Sequence, residues 1–98
     1  MATLSTHVLD TAVGRPAAGV PVTLLGPDGT TLADAVTDTD GRVASLGGEL
    51  TTGTHRLRFT VDGPFYPEIE ICFRVVADEH HHVPLLVSPY GYCTYRGS

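Results

Sequence analysis

Two segments of this 98-residue chain alternate strictly between apolar and polar positions. In segment 54–61, one face carries His55, Leu57, Phe59 and Val61, and the intervening positions are threonine or arginine. Segment 68–75 repeats the pattern with Ile69, Ile71, Phe73 and Val75. A period of two is typical of a strand that is buried on one side only. Shorter apolar segments at 4–9, 20–25 and 31–36 predict three further strands.

Turn-forming residues separate these segments. Pro27-Asp28-Gly29 predicts one hairpin turn, and Asp38-Thr39-Asp40-Gly41 predicts another. No segment has a helical period, and 11 glycines with 7 prolines suit many short strands. The pattern therefore predicts an all-β fold, a β-sandwich of seven or eight strands that forms a single domain over residues 1–98.

Amino-acid composition and net charge argue against some classes of partner and location. The formal net charge is −5, with only 6 lysines and arginines, so we expect no nucleic-acid partner. No apolar run reaches the roughly 18 residues of a membrane span. The N-terminus has neither the basic nor the apolar region of a secretory signal, and two cysteines do not make a disulfide framework. We therefore expect a cytoplasmic protein in which Cys72 and Cys93 are free thiols, although a disulfide between them stays open.

Histidine provides the first candidate chemistry. His7 lies within a predicted strand, and His80 and His82, two residues apart on another, should point to the same face. Such a pair can bind zinc or transfer protons, because histidine titrates near neutral pH. His81 is expected to be a solvated residue at the end of a hairpin.

Arginine provides the second signal. Arg42 follows the predicted Asp38–Gly41 turn, where it either pairs with Asp40 at the surface or places a cation beside a substrate oxygen. Arg96 lies in the terminal Tyr95-Arg96-Gly97-Ser98. Chain termini are usually frayed and polar, so a tyrosine and an arginine at this position are unusual. No nucleophile elbow, phosphate loop or Cys-x-x-Cys motif is present. The residues alone therefore predict a histidine–arginine site without naming its substrate.

Several motifs together resemble the transthyretin-related family. They are the opening segment 4–10, the segment 14–22, Thr39-Asp40-Gly41-Arg42, Phe65-Tyr66-Pro67-Glu68 and the segment 80–98. The terminal Tyr-Arg-Gly-Ser is similar to that of the family's enzymes, the 5-hydroxyisourate hydrolases, rather than to its thyroid-hormone carriers. The resemblance implies a transthyretin-like sandwich of two four-stranded antiparallel sheets that assembles as a homotetramer, a dimer of dimers.

The resemblance also implies an activity and its residues. The expected reaction is hydrolysis of 5-hydroxyisourate to 2-oxo-4-hydroxy-4-carboxy-5-ureidoimidazoline in urate degradation, a step of purine catabolism, without a cofactor. The family's catalytic residues map onto His7, Arg42 and His82, and its substrate-binding residues onto Tyr95, Arg96, Gly97 and Ser98. Histidines could activate water and protonate the leaving nitrogen, and Arg42 could hold the oxyanion. Arg96 and the Ser98 carboxylate would orient the site, and His80 matches a neighbouring histidine of the family.

The chain departs from the family in three places. The segment 60–64 is shorter than in most members, so we expect the family's short helix to be shortened or missing. The chain also looks trimmed around Gly47-Gly48, and Cys93 stands where serine or threonine is frequent.

Two alternatives to a hydrolase stay open. One is a non-catalytic carrier of a small aromatic ligand in the same site. The other is a metal-binding sandwich that uses His7, His80 and His82. We expect no metal to be required for the reaction, and we would interpret a metal ion there as adventitious.

Overall fold

Ten β-strands make up the regular structure of the computed structural model, which describes residues 2–97. The strands are β1 (Thr3–Asp10), β2 (Arg15–Pro16), β3 (Pro21–Leu25), β4 (Thr31–Val36), β5 (Arg42–Val43), β6 (Gly53–Phe59), β7 (Ile69–Val75), β8 (His80–His82), β9 (Leu85–Ser88) and β10 (Gly91–Thr94). The number of strands is higher than the predicted seven or eight, because several very short segments also pair with β1. No helix occurs between residues 2 and 97, in agreement with the expected loss of the family helix.

The strands form two sheets, which confirms the predicted sandwich. One sheet has the order β4-β3-β6-β7, and all of its pairs are antiparallel. The other follows the order β10-β9-β1-β2, with β5 and β8 also paired to β1. This second sheet is mixed rather than purely antiparallel, because β1 runs parallel to both β8 and β9.

The alternating segments bury the face that the sequence predicts. His55, Leu57 and Phe59 of β6 are fully buried, and Ile69, Ile71 and Val75 of β7 lie beside them in the core. Leu4 and Val8 contribute from β1 across the sandwich. Each fully buried side chain of this size stabilises the fold by about 1.5–3 kcal/mol relative to exposure, so the core holds the two sheets together.

One of the two predicted hairpins is present, and the other is not. The turn at Pro27-Asp28-Gly29 joins β3 to its antiparallel neighbour β4, as predicted. The turn at Asp38–Gly41 instead carries the chain from one sheet to the other, because β5 pairs with β1 and not with β4. Turn residues indicate where the chain reverses, but they do not specify which strand the next segment will join.

Side-chain and backbone constraints define this crossover. The Asp38 carboxylate accepts hydrogen bonds from the backbone N–H groups of Asp40 and Arg42, at 2.9 and 3.0 Å. Gly41 has a φ of 73°, and a Cβ there would lie 2.4 Å from the carbonyl oxygen of Val8. Only glycine fits both the conformation and the close approach. The crossover therefore holds Arg42 against β1.

His81 is buried, so the prediction of a solvated residue is wrong. Only 3% of its surface is exposed, because alternation along β8 turns it away from the face that carries His80 and His82. Neither ring nitrogen has a hydrogen-bond partner among residues 2–97. A buried polar group without a partner costs about 1–3 kcal/mol.

The buried, unpaired ring predicts a stabilising substitution. We expect His81→Phe to raise the free energy of unfolding by about 1–2 kcal/mol, because it removes that desolvation cost and adds apolar contacts. Chemical denaturation of both proteins measures the difference. Equal or lower stability of the His81→Phe protein would show that the histidine is satisfied in the folded protein.

Candidate active site

The outer face of β1 organises the site. Leu4, Thr6 and Val8 point into the core, so Thr3, Ser5 and His7 lie on the opposite face of the strand. Short strands pair with β1 at these positions: His7 lies opposite Arg42 of β5, and Ser5 lies opposite His82 of β8. The register of β1 therefore brings together the three residues that were predicted to be catalytic.

His7 and Arg42 form one side of this arrangement. The Nε2–H of His7 donates a hydrogen bond to the carbonyl oxygen of Asp40 at 2.8 Å. A carbonyl oxygen only accepts, so this bond fixes the proton of neutral His7 on Nε2 and leaves Nδ1 available. No ion pair joins Arg42 to Asp40 within residues 2–97. The exposed Arg42 side chain faces a cleft instead.

Two histidines of β8 form the other side, and a serine hydroxyl joins them. Ser5 Oγ lies 2.7 Å from His82 Nδ1 and 2.7 Å from His80 Nε2. Thr3 Oγ1 lies 2.6 Å from the remaining ring nitrogen of His80, Nδ1. The shared outward face predicted for His80 and His82 is confirmed. The structure adds a continuous chain of hydrogen bonds along that face.

These groups line an open cleft of about 310 Å³. Its walls come from the first half of β1, from β5 with the residue after it, and from β8: Ser5, Thr6, Arg42, Val43, Ala44, His80 and His82. Imidazole, guanidinium and hydroxyl groups therefore surround a space large enough for a small heterocycle. Such groups can position water, transfer protons and stabilise negative charge on oxygen.

The surroundings of His82 favour its neutral form. Burial lowers the pKa of His82 below its ordinary 6.5, and the positive charges of Arg42, His7 and His80 lower it further. Neutral imidazole is the form that can accept a proton. Ser5 occupies Nδ1, so Nε2 is the ring nitrogen of His82 without a hydrogen bond to residues 2–97. This nitrogen has the properties required of a general base at neutral pH.

The C-terminal residues divide between two places. The Gly97 N–H donates to the His82 carbonyl at 2.8 Å, and a Cβ at position 97 would lie 2.4 Å from Cδ2 of the His82 ring. Arg96 points elsewhere and bonds to Glu79 at 2.5 Å, which lowers the pKa of Glu79. Tyr95 and Arg96 line a separate cleft with Phe73 and His81. Ser98, the remaining predicted residue, lies outside the described residues.

The structure also bears on metal binding and on the thiols. Within residues 2–97, no three or more histidine, cysteine or acidic side chains are grouped so that they could hold a metal ion. The set His7, His80 and His82 is therefore not a preformed metal site in the described chain. Cys72 and Cys93 are free and exposed. The same residues contain no helix of the length and hydropathy needed to cross a membrane.

Sequence reasoning missed Ser5 and Thr3. Both occur at alternate positions before His7, so a strict period-two reading of segment 4–9, extended by one residue, would have placed all three on one face. Their hydrogen bonds to β8 could not be predicted, because the sequence does not show that β8 pairs with β1 in parallel.

Comparison with known proteins places this geometry in context. The model of the HIUase/Transthyretin family matches residues 4–97. The chain is 47% identical to a 5-hydroxyisourate hydrolase of Caulobacter vibrioides, over all of both chains. It is also 42% identical to a 5-hydroxyisourate hydrolase of Mesorhizobium japonicum. That alignment covers 97% of this chain and 91% of that protein. The Caulobacter alignment spans 115 positions, so this chain of 98 residues lacks residues that the relative has.

Solved structures share the fold as well. Klebsiella pneumoniae 5-hydroxyisourate hydrolase matches with a TM-score of 0.89 and 37% identity, over 98% of this chain and 99% of that chain. Sea bream transthyretin in complex with thyroxine matches with a TM-score of 0.88 and 28% identity, over 96% and 93% of the two chains. The chain therefore belongs to the HIUase/Transthyretin family.

Proposed function

We propose that this protein is a 5-hydroxyisourate hydrolase and acts in urate degradation. The observation that carries the proposal is the register of β1, which places His7 opposite Arg42 and Ser5 opposite His82. Arg42, His80 and His82 line one cleft, and His7 lies next to it as the β1 partner of Arg42. The relatives from Caulobacter and Mesorhizobium bear the name of this activity. The proposal extends that activity to this chain because it retains each residue of the predicted site.

Hydrolysis of a cyclic amide begins with an activated water. Neutral His82 accepts a proton from water at Nε2, and the resulting hydroxide attacks the ring carbonyl of the substrate. Its lowered pKa keeps His82 unprotonated at neutral pH, and Ser5 holds its ring in one orientation. Of the two histidines, His82 is thus better suited to activate water.

The negative charge and the leaving nitrogen then need partners. Arg42 stabilises the developing oxyanion, a role that is worth about 3–4 kcal/mol for comparable donors. His7, after it is protonated at Nδ1, donates a proton to the nitrogen as the amide bond breaks, and the Asp40 carbonyl keeps its ring in place through Nε2. Acid, base and oxyanion donor all come from side chains, so this route requires no cofactor.

Gly97 supports the site through its backbone, whose N–H bonds to the His82 carbonyl. Gly97 packs against the His82 ring at a distance that leaves no room for a side chain. The Arg96–Glu79 pair holds the tail beside β8, so Arg96 acts in the described chain by positioning Gly97. On this contact we retain Gly97 as a proposed site residue. Tyr95, Arg96 and Ser98 stay proposed substrate-binding residues on the resemblance to the family alone.

A carrier function is less well supported by the cleft. A site for an aromatic ligand is usually lined mainly by apolar groups with few polar ones. Here the walls include two histidines, an arginine and a serine hydroxyl, and burial and neighbouring charge lower the pKa of one of those histidines. Such a lining favours chemistry over storage.

We also propose that the protein is a homotetramer, assembled as a dimer of dimers. Strands β7 and β10 lie at the open edges of the two sheets, where their backbone groups can pair with another chain. Large aromatic side chains are exposed beside them: Phe65, Tyr90, Tyr92 and Tyr95. Aromatic rings with polar tips are enriched in interfaces, and a small sandwich gains stability from such burial.

The first prediction tests the catalytic residues. We expect His7→Ala, Arg42→Ala and His82→Ala each to lower kcat/KM for 5-hydroxyisourate by at least about a hundredfold, because each removes a proton-transfer or oxyanion group. Ultraviolet absorbance of freshly generated substrate measures the rate. Arg15→Ala, which removes an exposed arginine of β2 that does not line this cleft, is the matched control.

Chelation is included in the same assay, and we expect full activity after exhaustive treatment. Wild-type turnover by His82→Ala would contradict the role of that residue. Activity that disappears with chelator and returns with zinc would show a metalloenzyme instead.

The second prediction concerns the tail. We expect Gly97→Ala to lower kcat at least about tenfold in a folded protein, because the added methyl group must displace the His82 ring. Circular dichroism checks the fold. Gly91→Ala is the matched control, since Gly91 has no left-handed φ and a Cβ there would meet only Ser88 Oγ, at 3.6 Å. Equal kcat values for Gly97→Ala and wild type would remove Gly97 from the site.

The third prediction concerns assembly. Sedimentation velocity at assay concentrations is expected to show a tetramer, and a charged substitution at the exposed Tyr90 is expected to shift it toward smaller species. A fully active monomer at these concentrations would contradict the proposed assembly.

A further inference from the structure

The hydrogen-bond chain on the outer face of β1 has an unusual property. Within the described residues, the Ser5 hydroxyl is the only group that joins the side chains of His80 and His82 by hydrogen bonds. It contacts one ring nitrogen of each. A hydroxyl has a single proton, so it donates to one ring and accepts from the other. The protonation pattern of His80 and that of His82 are thereby coupled.

Two arrangements of protons satisfy all the observed distances. In the first, His82 Nδ1–H donates to Ser5, Ser5 donates to His80 Nε2, and His80 Nδ1–H donates to Thr3. In the second, every bond is reversed, so His82 carries its proton on Nε2. The first arrangement leaves His82 Nε2 free to accept a proton, and the second makes it a proton donor. Shifting protons along the chain therefore converts a base into an acid.

We propose that Ser5 is a proton-relay and positioning residue that connects His82 to His80 during hydrolysis. This inference rests on the proposed function and adds a residue to it. Ser5 touches only the two histidines, through its hydroxyl, so it acts through His82 rather than on the substrate.

The relay carries the positive charge created at His82 to His80. Water loses a proton to His82 Nε2, and its oxygen forms the bond to the substrate carbonyl, whose oxygen becomes negative. His82 passes its Nδ1 proton to Ser5 Oγ, while Ser5 passes its own proton to His80 Nε2. His80 becomes the imidazolium, and His82 is left neutral with a proton on Nε2. As the intermediate collapses, the C–N bond breaks and His7 gives its Nδ1 proton to the leaving nitrogen. The relay then runs back: His80 returns a proton to Ser5, Ser5 returns one to His82 Nδ1, and His82 Nε2 releases the water-derived proton to solvent while His7 takes one from solvent.

The surroundings favour this transfer of charge. His82 is half-buried and faces Arg42, His7 and His80, which lower its pKa, so a positive charge on it is costly. His80 is exposed, where water stabilises an imidazolium, and Thr3 fixes its far nitrogen. The relay therefore moves a proton from the buried end of the chain toward solvent.

Substitutions of Ser5 and of its partner His80 test the proposal. We expect Ser5→Ala to lower kcat by about 10- to 100-fold with KM changed less than about threefold, whereas Ser5→Thr, which keeps the hydroxyl, restores most of kcat. His80→Phe should also lower kcat, since it removes the proton acceptor but leaves the Ser5–His82 bond. Thr23→Ala, which removes a hydroxyl bonded to Asp34 in the other sheet, is the matched control and should match wild type.

A spectroscopic readout separates the relay from the proposed function. In ¹⁵N-histidine spectra of the substrate-free protein, neutral His82 should hold its proton on Nδ1 in wild type and in Ser5→Thr. In Ser5→Ala it should shift toward Nε2, because the Nδ1–H loses its acceptor. Wild-type kcat in Ser5→Ala, or an unchanged His82 tautomer, would overturn the relay and leave the hydrolase proposal intact. Absence of hydrolysis by the wild type would overturn the function, and with it the catalytic use of the relay, whereas the tautomer result would still decide the coupling.

Discussion

The pairing of β1 with short strands on both of its sides is the constraint on which the site depends. β5 places Arg42 beside His7 on one side, and β8 places His82 beside Ser5 on the other. Neither β5 nor β8 is long enough to be stable by itself, so each is positioned by its backbone bonds to β1 and by the core beneath. A one-residue slip of β1 would turn Ser5 and His7 toward the core and would turn Leu4 and Val8 to the outer face.

The same constraint explains where the polar groups of the site can be satisfied. Alternation leaves one face of β1 for apolar packing and the other for hydroxyl and imidazole groups. On the outer face, Thr3, Ser5, His80 and His82 bond to one another, which compensates for their partial burial. His81 shows the opposite case, because the strand geometry that turns its neighbours outward forces its ring into the interior, where no described residue bonds to it.

Much of the fold could be predicted from the sequence because the longer strands alternate cleanly. The bounds of β4 were predicted without error, and those of β6 and β7 within one or two residues. The buried faces of β6 and β7 were also predicted. The second hairpin was wrong, since a turn such as Asp38–Gly41 has the same chemistry whether it joins neighbours or crosses between sheets. The parallel pairing of β8 with β1 was not predictable, because it joins residues about 77 positions apart, as in the bond between Ser5 and His82.

The candidate site was predictable to a different degree. The resemblance to the family identified His7, Arg42 and His82. Arg42 and His82 line one cleft, and His7 is paired with Arg42 across β1 and β5. The resemblance gave no reason to separate the roles of the two histidines. That distinction comes from the structure, where the Asp40 carbonyl binds one ring and the pKa of the other is lowered by burial and positive charge.

The central claim is that neutral His82 activates water, and the pH dependence of kcat/KM tests it most directly. A base must be unprotonated, so the limb of the pH profile that belongs to His82 should rise as the pH increases through the pKa of His82 and fall as the pH drops through it. Because burial and neighbouring cations lower that pKa, the acid limb should be centred below about 6.5, and it should be absent from the residual activity of His82→Ala. An acid limb centred at or above 6.5, or one that persists unchanged in His82→Ala, would contradict the assignment of His82 as the base.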